Sequence, residues 1–311
     1  MSNTLRIATR KSELALIQTN KVKAFLLKAY PNLEIELVYF STKGDEVLDR
    51  PLADIGGKGL FIKTLEEALI QGKADIAVHS LKDVPSVLAD PFSLVAYLPR
   101  ENPCDVFLSK NFSSFSDLPL GASIGTSSPR RAAQLKNLRP DLNITALRGN
   151  VPTRVAKILS GEFDAGVLAY AGLSRLNLTA HIREIFSLDY LTPSAGQGII
   201  AVECLANRTS EFEFVREVLN SKESEAMALA ERSFVAKLEG DCYSPIAALA
   251  EINNAELNLV GAVFSRDGSK NILGSKKIKI PESLDLKIYS ELGALLAREL
   301  LARGALELFQ C

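Results

Sequence analysis

The first hundred residues alternate between strand-like and helix-like hydrophobic patterns. Leu5–Thr9 reads as a short strand. Leu14, Ile17, Val22 and Phe25 fall at helical spacing, which predicts a helix from a Ser12 cap to about Ala29, with Pro31 beyond its end. Ile35–Phe40 reads as a strand, and Leu60–Gln71 as a helix stopped near Gly72. Asp75–Val78 reads as a buried strand that runs into the polar turn His79-Ser80-Leu81-Lys82-Asp83, and Leu94–Leu98 as a further strand. This alternation implies a mostly parallel sheet.

The pattern then repeats. Ala122–Gly125 is a strand, Thr126-Ser127-Ser128 a cap, Pro129 a first-turn proline and Arg130–Leu138 a helix. Asn143–Leu147 follows as a strand, Val151–Ser160 as a helix and Asp164–Ala169 as a strand. The runs Gly72–Val78 and Gly161–Val167 look like counterparts, as do Ile7–Leu16 and Ile124–Leu135. Two similar α/β domains are therefore expected. Pro99 and Pro103 bracket one crossing between them. Pro193–Gly198 reads as the return crossing, and Ile199–Cys204 as a strand that rejoins the first sheet.

The last ninety residues differ. Asn220 with Glu223 suggests a capping box for a helix that runs to Glu239 and ends at Gly240. Ala247–Ile252, Leu257–Phe264 and Ile278–Ile280 read as strands, with Asp267-Gly268 as a hairpin turn. A final amphipathic helix is expected over Leu284–Ala302, capped by Ser283. The expected domains are 1–98 with 199–218, then 99–198, then a small α+β domain over 219–311.

Composition narrows the classes. The chain has 311 residues, 47% of them apolar, so it can bury sizeable cores. Lys plus Arg number 36 against 37 for Asp plus Glu, which argues against a nucleic-acid partner. Four cysteines without a C-x-x-C spacing and only two histidines give no framework for a metal. There is no apolar run of membrane-spanning length and no leader-like start, so a cytoplasmic protein without a membrane partner is expected.

Cations gather where strands end. Arg10 and Ser12 follow the first strand, Lys82 the strand Asp75–Val78, Arg130 and Arg131 the Thr126–Ser128 cap, and Arg148 and Arg154 the strand Asn143–Leu147. In open α/β sheets ligands lie at the carboxyl ends of strands, and arginines there grip carboxylates or phosphates. The expected ligand is a small molecule with several anionic groups. Gly56-Gly57-Lys58-Gly59 is not a P-loop, because neither Ser nor Thr follows the Gly-Lys pair. Gly121–Gly125 matches G-x-S-x-G, but Ser123 lies within the strand rather than at its turn, which excludes a nucleophile elbow. His79 and His181 read as packing or polar-loop residues. Cys242 lies past a helix end beside Asp241, which disfavours a turnover nucleophile without preventing one slow attachment to a strong electrophile, and taken alone it reads as an inert loop cysteine.

The runs Leu5–Arg10, Gly56–Phe61, Asp75–Pro85, Gly125–Arg131, Leu147–Val151 and Gly196–Gly198, followed by Cys242, resemble the hydroxymethylbilane synthases, also called porphobilinogen deaminases. The resemblance runs in order along nearly the whole chain. It implies two domains similar to type II periplasmic binding proteins, with a third small α+β domain of antiparallel sheet and helices. It also implies a transferase of porphyrin and heme biosynthesis, working as a monomer. Such an enzyme joins four porphobilinogen molecules head to tail with loss of ammonia, then releases the linear tetrapyrrole by hydrolysis. By the same resemblance a dipyrromethane cofactor is held by a thioether on Cys242, and Asp83 is the central catalytic group. Lys82, Thr126, Ser128, Arg130, Arg131 and Arg148 are then expected to bind the cofactor carboxylates. Arg10, Ser12, Lys58, Arg154, Arg175 and Gln197 are expected around the substrate or growing chain. Asp54, Pro129 and Asp241 depart from the family's commoner residues. The alternative reading is a non-catalytic anion-binding receptor on the same scaffold.

Overall fold

The computed structural model describes residues 4–41, 62–241, 243–280 and 285–309. Lys58, Asp54, Cys242 and the Ser283 cap lie outside the described residues. In chain order the first elements are β1 (Thr4–Arg10), α1 (Glu13–Ala29), β2 (Glu34–Phe40), α2 (Lys63–Ile70), β3 (Ile76–Ser80) and β4 (Phe92–Tyr97). Then come β5 (Asp105–Leu108), β6 (Ser123–Gly125), α3 (Pro129–Leu138), β7 (Asn143–Thr145), α4 (Val151–Ser160), β8 (Ala165–Ala169), α5 (Tyr170–Arg175) and β9 (Glu184–Ile185). The rest are β10 (Ile200–Leu205), α6 (Glu213–Leu219), α7 (Lys222–Lys237), β11 (Ile246–Asn253), β12 (Glu256–Phe264), β13 (Asn271–Lys279) and α8 (Lys287–Ala302).

The chain divides into two compact units, Met1–Glu101 with Gly198–Glu225, and Asn102–Gln197 with Ala226–Cys311. The first holds a five-stranded sheet of order β2-β1-β3-β10-β4. The strands β2, β1 and β3 are parallel, and β10 runs antiparallel to both its neighbours. Strand alternation sends Leu5, Ile7, Ile76 and Val78 to the face covered by Val22 and Leu26 of α1 and Val215 and Leu219 of α6. Ala8 and Ala77 face Leu65, Ala68 and Leu69 of α2.

The second unit holds a sheet of order β7-β6-β8-β5-β9. Here β7, β6 and β8 are parallel and β5 is the antiparallel strand. The two sheets match strand for strand. In each, the antiparallel member enters from one of the two crossings, β10 after Gly198 and β5 after Asn102. The Gly72–Val78 and Gly161–Val167 repeat has a shared structural purpose. Asp75 accepts the Arg6 backbone N–H at 2.9 Å, and Asp164 accepts the Ser123 backbone N–H at 2.8 Å. Each aspartate thus pins the start of the first parallel strand to the start of the third.

The same unit carries the third sheet, β11-β12-β13, antiparallel throughout. Phe234 of α7, Leu238 just past its end, and Leu292, Leu296 and Leu300 of α8 cover one face, against Ala248, Leu257 and Leu259. On the other, Ala247, Ala262 and Phe264 pack against Ala133 of α3. The β12–β13 turn touches that helix too, since Asn137 Nδ2 donates to the Gly268 carbonyl at 2.9 Å.

Several element expectations need correction. The helix cap in the third region is Ser221, whose Oγ accepts the Ser224 N–H, while Asn220 accepts the Tyr97 N–H and donates to Glu225. A separate helix, α6, precedes it. Strand β13 begins seven residues earlier than its expected start at Ile278, as the register with β12 shows. Strands β5 and β9 and helix α5 were not expected.

Candidate active site

In the first unit, Arg10, Ser12 and Asp83 line one pocket with Gln18, Ile62, His79 and Ser80. The fold brings them there by three routes. Arg10 ends β1, and Ser12 is the N-cap residue of α1. Its hydroxyl makes no capping bond, so it is spared for other work. Asp83 closes a short 3-10 turn, Leu81–Asp83, that leaves the end of β3 and also carries Lys82. Leu81 is buried and anchors this turn, whereas Asp83 is exposed. Ser80 is fixed from the side by Gln18, which donates to its Oγ at 2.8 Å. A carboxylate, a guanidinium and the positive end of a helix thus share one small space.

The pocket wall includes His79, read from sequence as a packing residue. It is buried, and its Nε2 lies 2.9 Å from Glu203 Oε2 across the β3–β10 pair. Burial pushes the nearby Glu66 carboxyl up, and the Glu203 charge adds to this.

In the second unit the expected residues stand at the carboxyl ends of the parallel strands. Thr126 and Ser128 follow β6. Thr126 Oγ1 accepts the Ser128 N–H at 3.2 Å, and Ser128 caps α3 by accepting the Arg131 N–H at 3.4 Å. Arg148 follows β7. Arg154, in the first turn of α4, donates from Nε to the Gly149 carbonyl at 2.7 Å. Asn150 caps that helix through the Thr153 N–H at 2.9 Å. Arg175 ends α5.

Arg130 and Arg131 are not the solvated pair that loop cations suggest. Both are buried, and both grip Asp105 at the start of β5. Arg130 Nη2 donates to Oδ2 and Arg131 Nη2 to Oδ1, each at 2.7 Å. Arg130 also donates to the Thr192 carbonyl at 2.6 Å, and Arg131 to the Val167 carbonyl at 3.2 Å. Gln197, expected near substrate, is 1% exposed and turns its amide inward, donating to Asp105 Oδ1 at 2.9 Å and to the Pro103 carbonyl at 2.6 Å. Burial alone would raise the Asp105 pKa. The charges of Arg130 and Arg131 and the bonds from Arg131 and Gln197 outweigh it and hold the carboxyl well below the usual range.

Asp105 is the residue that sequence reasoning missed. Its only signal is an acid opening the apolar run Val106-Phe107-Leu108. The cluster has two guanidinium groups for one carboxylate. Among the described residues neither Arg130 Nε nor Arg131 Nε, both buried, has a hydrogen-bond partner. A buried pair with surplus positive charge and unused N–H donors suits an acidic side arm. These residues therefore fit a dipyrromethane, whose rings carry carboxylates.

Among the described residues there is no cluster of His, Cys, Asp and Glu that could hold a metal, and no helix is long and apolar enough to cross a membrane. Solved structures similar to the chain include the periplasmic VFT2 domain of BvgS from Bordetella pertussis. It is 14% identical with a TM-score of 0.45, over 70% of this chain and 86% of that one. A nutrient binding protein from Burkholderia cenocepacia bound to methionine is 15% identical with a TM-score of 0.44, over 69% and 89%. Residues 5–213 match the family model described as porphobilinogen deaminase, dipyromethane cofactor binding domain, and residues 226–302 match the porphobilinogen deaminase C-terminal domain. With both parts matched in order, the chain belongs to the porphobilinogen deaminase family, the hydroxymethylbilane synthases, transferases of tetrapyrrole biosynthesis that act on porphobilinogen and carry a dipyrromethane cofactor.

Proposed function

We propose that Asp83 is the catalytic group of this transferase and that Cys242 carries the cofactor through a thioether. The reading that Arg130, Arg131, Lys82, Thr126, Ser128 and Arg148 hold the cofactor carboxylates is carried by one observation. It is the buried arginine pair, with more positive charge than Asp105 neutralises and with donors left over. Arg10, Ser12, Lys58, Arg154 and Arg175 face substrate and growing chain. Gln197 acts from behind the arginine pair rather than on substrate, because its amide is spent on Asp105 and Pro103. The bound dipyrromethane supplies the primer to which substrate units are joined.

The remaining chemistry belongs to the side chains. Arg10 and the α1 N-terminus attract the acetate and propionate arms of porphobilinogen into the pocket that Asp83 lines. The aminomethyl group of porphobilinogen is protonated near neutrality and leaves as ammonia, taking the C–N electron pair. The positive charge stays on the pyrrole. Asp83, as a carboxylate, accepts the pyrrole N–H and stabilises that charge. Among the described cysteines, burial pushes the Cys204 thiol up to about 11, and burial with Asp105 beside it raises Cys104. Both are thereby poor thiolates near neutrality, and Cys242 is the attachment point that the family resemblance assigns. Three domains, a monomeric cytoplasmic enzyme and no nucleic-acid partner complete the proposal, supported by the three sheets and the near-zero net charge.

The test is Asp83→Asn, which removes the charge and keeps the shape. Turnover of porphobilinogen falls at least about 100-fold, as expected for loss of an electrostatic stabilisation of about 2.7–4 kcal/mol, while the circular dichroism spectrum is unchanged. A variant that keeps a tenth or more of the wild-type rate contradicts the role.

A further inference from the structure

Asp105 touches neither the pocket that Asp83 lines nor solvent, yet it organises every buried cation of the second unit's site. Its side chain is wholly buried, and its two oxygens take three bonds of 2.7, 2.7 and 2.9 Å. Each arginine gives Asp105 one Nη2 and spends Nη1 on a main-chain carbonyl, Thr192 for Arg130 and Val167 for Arg131. Both guanidinium planes are thereby fixed, and in both the Nε is the donor left without a partner. A flexible arginine loses rotamer freedom when it binds an anion. Here that freedom is already gone.

Resting on the reading that these arginines hold the cofactor carboxylates, we propose that Asp105 is a positioning residue that pre-orients Arg130 and Arg131 and aims their free Nε donors at the bound acid arms. Full charge neutralisation would weaken the site, and one acid between two arginines avoids it. Gln197 occupies Oδ1 without adding charge, so it fixes the carboxylate while the surplus positive charge is kept.

The experiment is a double-mutant cycle on the holoenzyme with porphobilinogen as the probe. It compares wild type, Asp105→Asn, Arg131→Gln and the double variant. Only the folded, cofactor-bearing fraction, identified by intact mass, is assayed. Asp105→Asn presents an amide N–H to a guanidinium and removes the charge that orients both arginines. It lowers kcat/KM by about tenfold or more, and the double variant loses less than the product of the two single effects, because the part of the Asp105 effect that runs through Arg131 is already gone in Arg131→Gln while the part through Arg130 remains. Effects that multiply, or an Asp105→Asn enzyme with wild-type kcat/KM, overturn the proposal. Arg131→Gln with normal kcat/KM and normal cofactor content overturns instead the reading on which it rests. If Asp105→Asn does not fold, Gln197→Ala takes its place in the cycle. It removes one bond to Oδ1 and is expected to lower kcat/KM by about threefold or more, again by less than a multiplying factor on top of Arg131→Gln. A Gln197→Ala enzyme with wild-type kcat/KM, or a multiplying effect, counts against the proposal.

Discussion

Asp83 and Asp105 are the same residue type in opposite surroundings, and their tasks differ accordingly. Asp83 is exposed and lines one pocket with Arg10 and with Ser12 at the start of α1. Asp105 is buried and fully committed to Arg130, Arg131 and Gln197. The family resemblance singles out the first, which from its own surroundings reads only as a turn acid. The sequence hides the second, because the partners of Asp105 are 25, 26 and 92 residues away in the chain. The same distance explains why the inward bonds of Gln197 to Asp105 and Pro103 leave no mark in the sequence. Gly198 shows a further constraint at this scale. Its φ is +89°, and a Cβ there would lie 2.3 Å from the Glu101 carbonyl oxygen, a main-chain atom that cannot swing aside. Gly198→Ala is expected to destabilise the first unit by about 2 kcal/mol or more, measured by urea denaturation. A variant within experimental error of wild type contradicts the close approach.

Elements were legible where periodicity and punctuation agree. The α1, α3 and α4 helices and the central parallel strands follow their apolar spacing, caps and glycines. Strand β5 has only four residues, three of them apolar, so its run is ambiguous by pattern alone. Strand β13 contains Gly274 and Ser275, which interrupt its apolar pattern ahead of Ile278. In the structure Gly274 is a packing need, since a Cβ there would lie 2.7 Å from Leu300 Cδ1 of α8. The strand-start clamps are an element-scale device with a pH signature. Burial would raise the Asp75 pKa, but the hydrogen bonds and charge of Arg6 and the bond from Arg208 win and lower it. Because the folded carboxyl sits below the unfolded one, its contribution is full above about pH 4 and is lost as pH falls toward the folded value. The fall in melting temperature between about pH 5 and pH 3 should therefore be smaller in Asp75→Asn than in wild type. An equal fall in both proteins contradicts the clamp.

At the scale of the whole molecule the repeat is the dominant fact. Two sheets of the same strand order each receive their antiparallel strand through a crossing, and each places cations at the carboxyl ends of its parallel strands. That much was legible, because the repeat is written in matched local runs. The third sheet was legible as a class, and its packing on α3 through Ala133 was not, since alanine contacts leave no pattern. On the proposed reading, a polyanionic cofactor is what the paired arginines behind the α3 cap, buried in a chain of net charge −1, are there to hold. The most direct measurement of this account is the intact mass of the wild-type protein and of Cys242→Ser, each purified from cells that make porphobilinogen. The account predicts wild-type protein heavier than its bare chain by one dipyrromethane, and a Cys242→Ser protein at its bare-chain mass without synthase activity. Wild-type protein at its bare-chain mass that still makes the linear tetrapyrrole, or a Cys242→Ser protein that keeps the added mass, would contradict it.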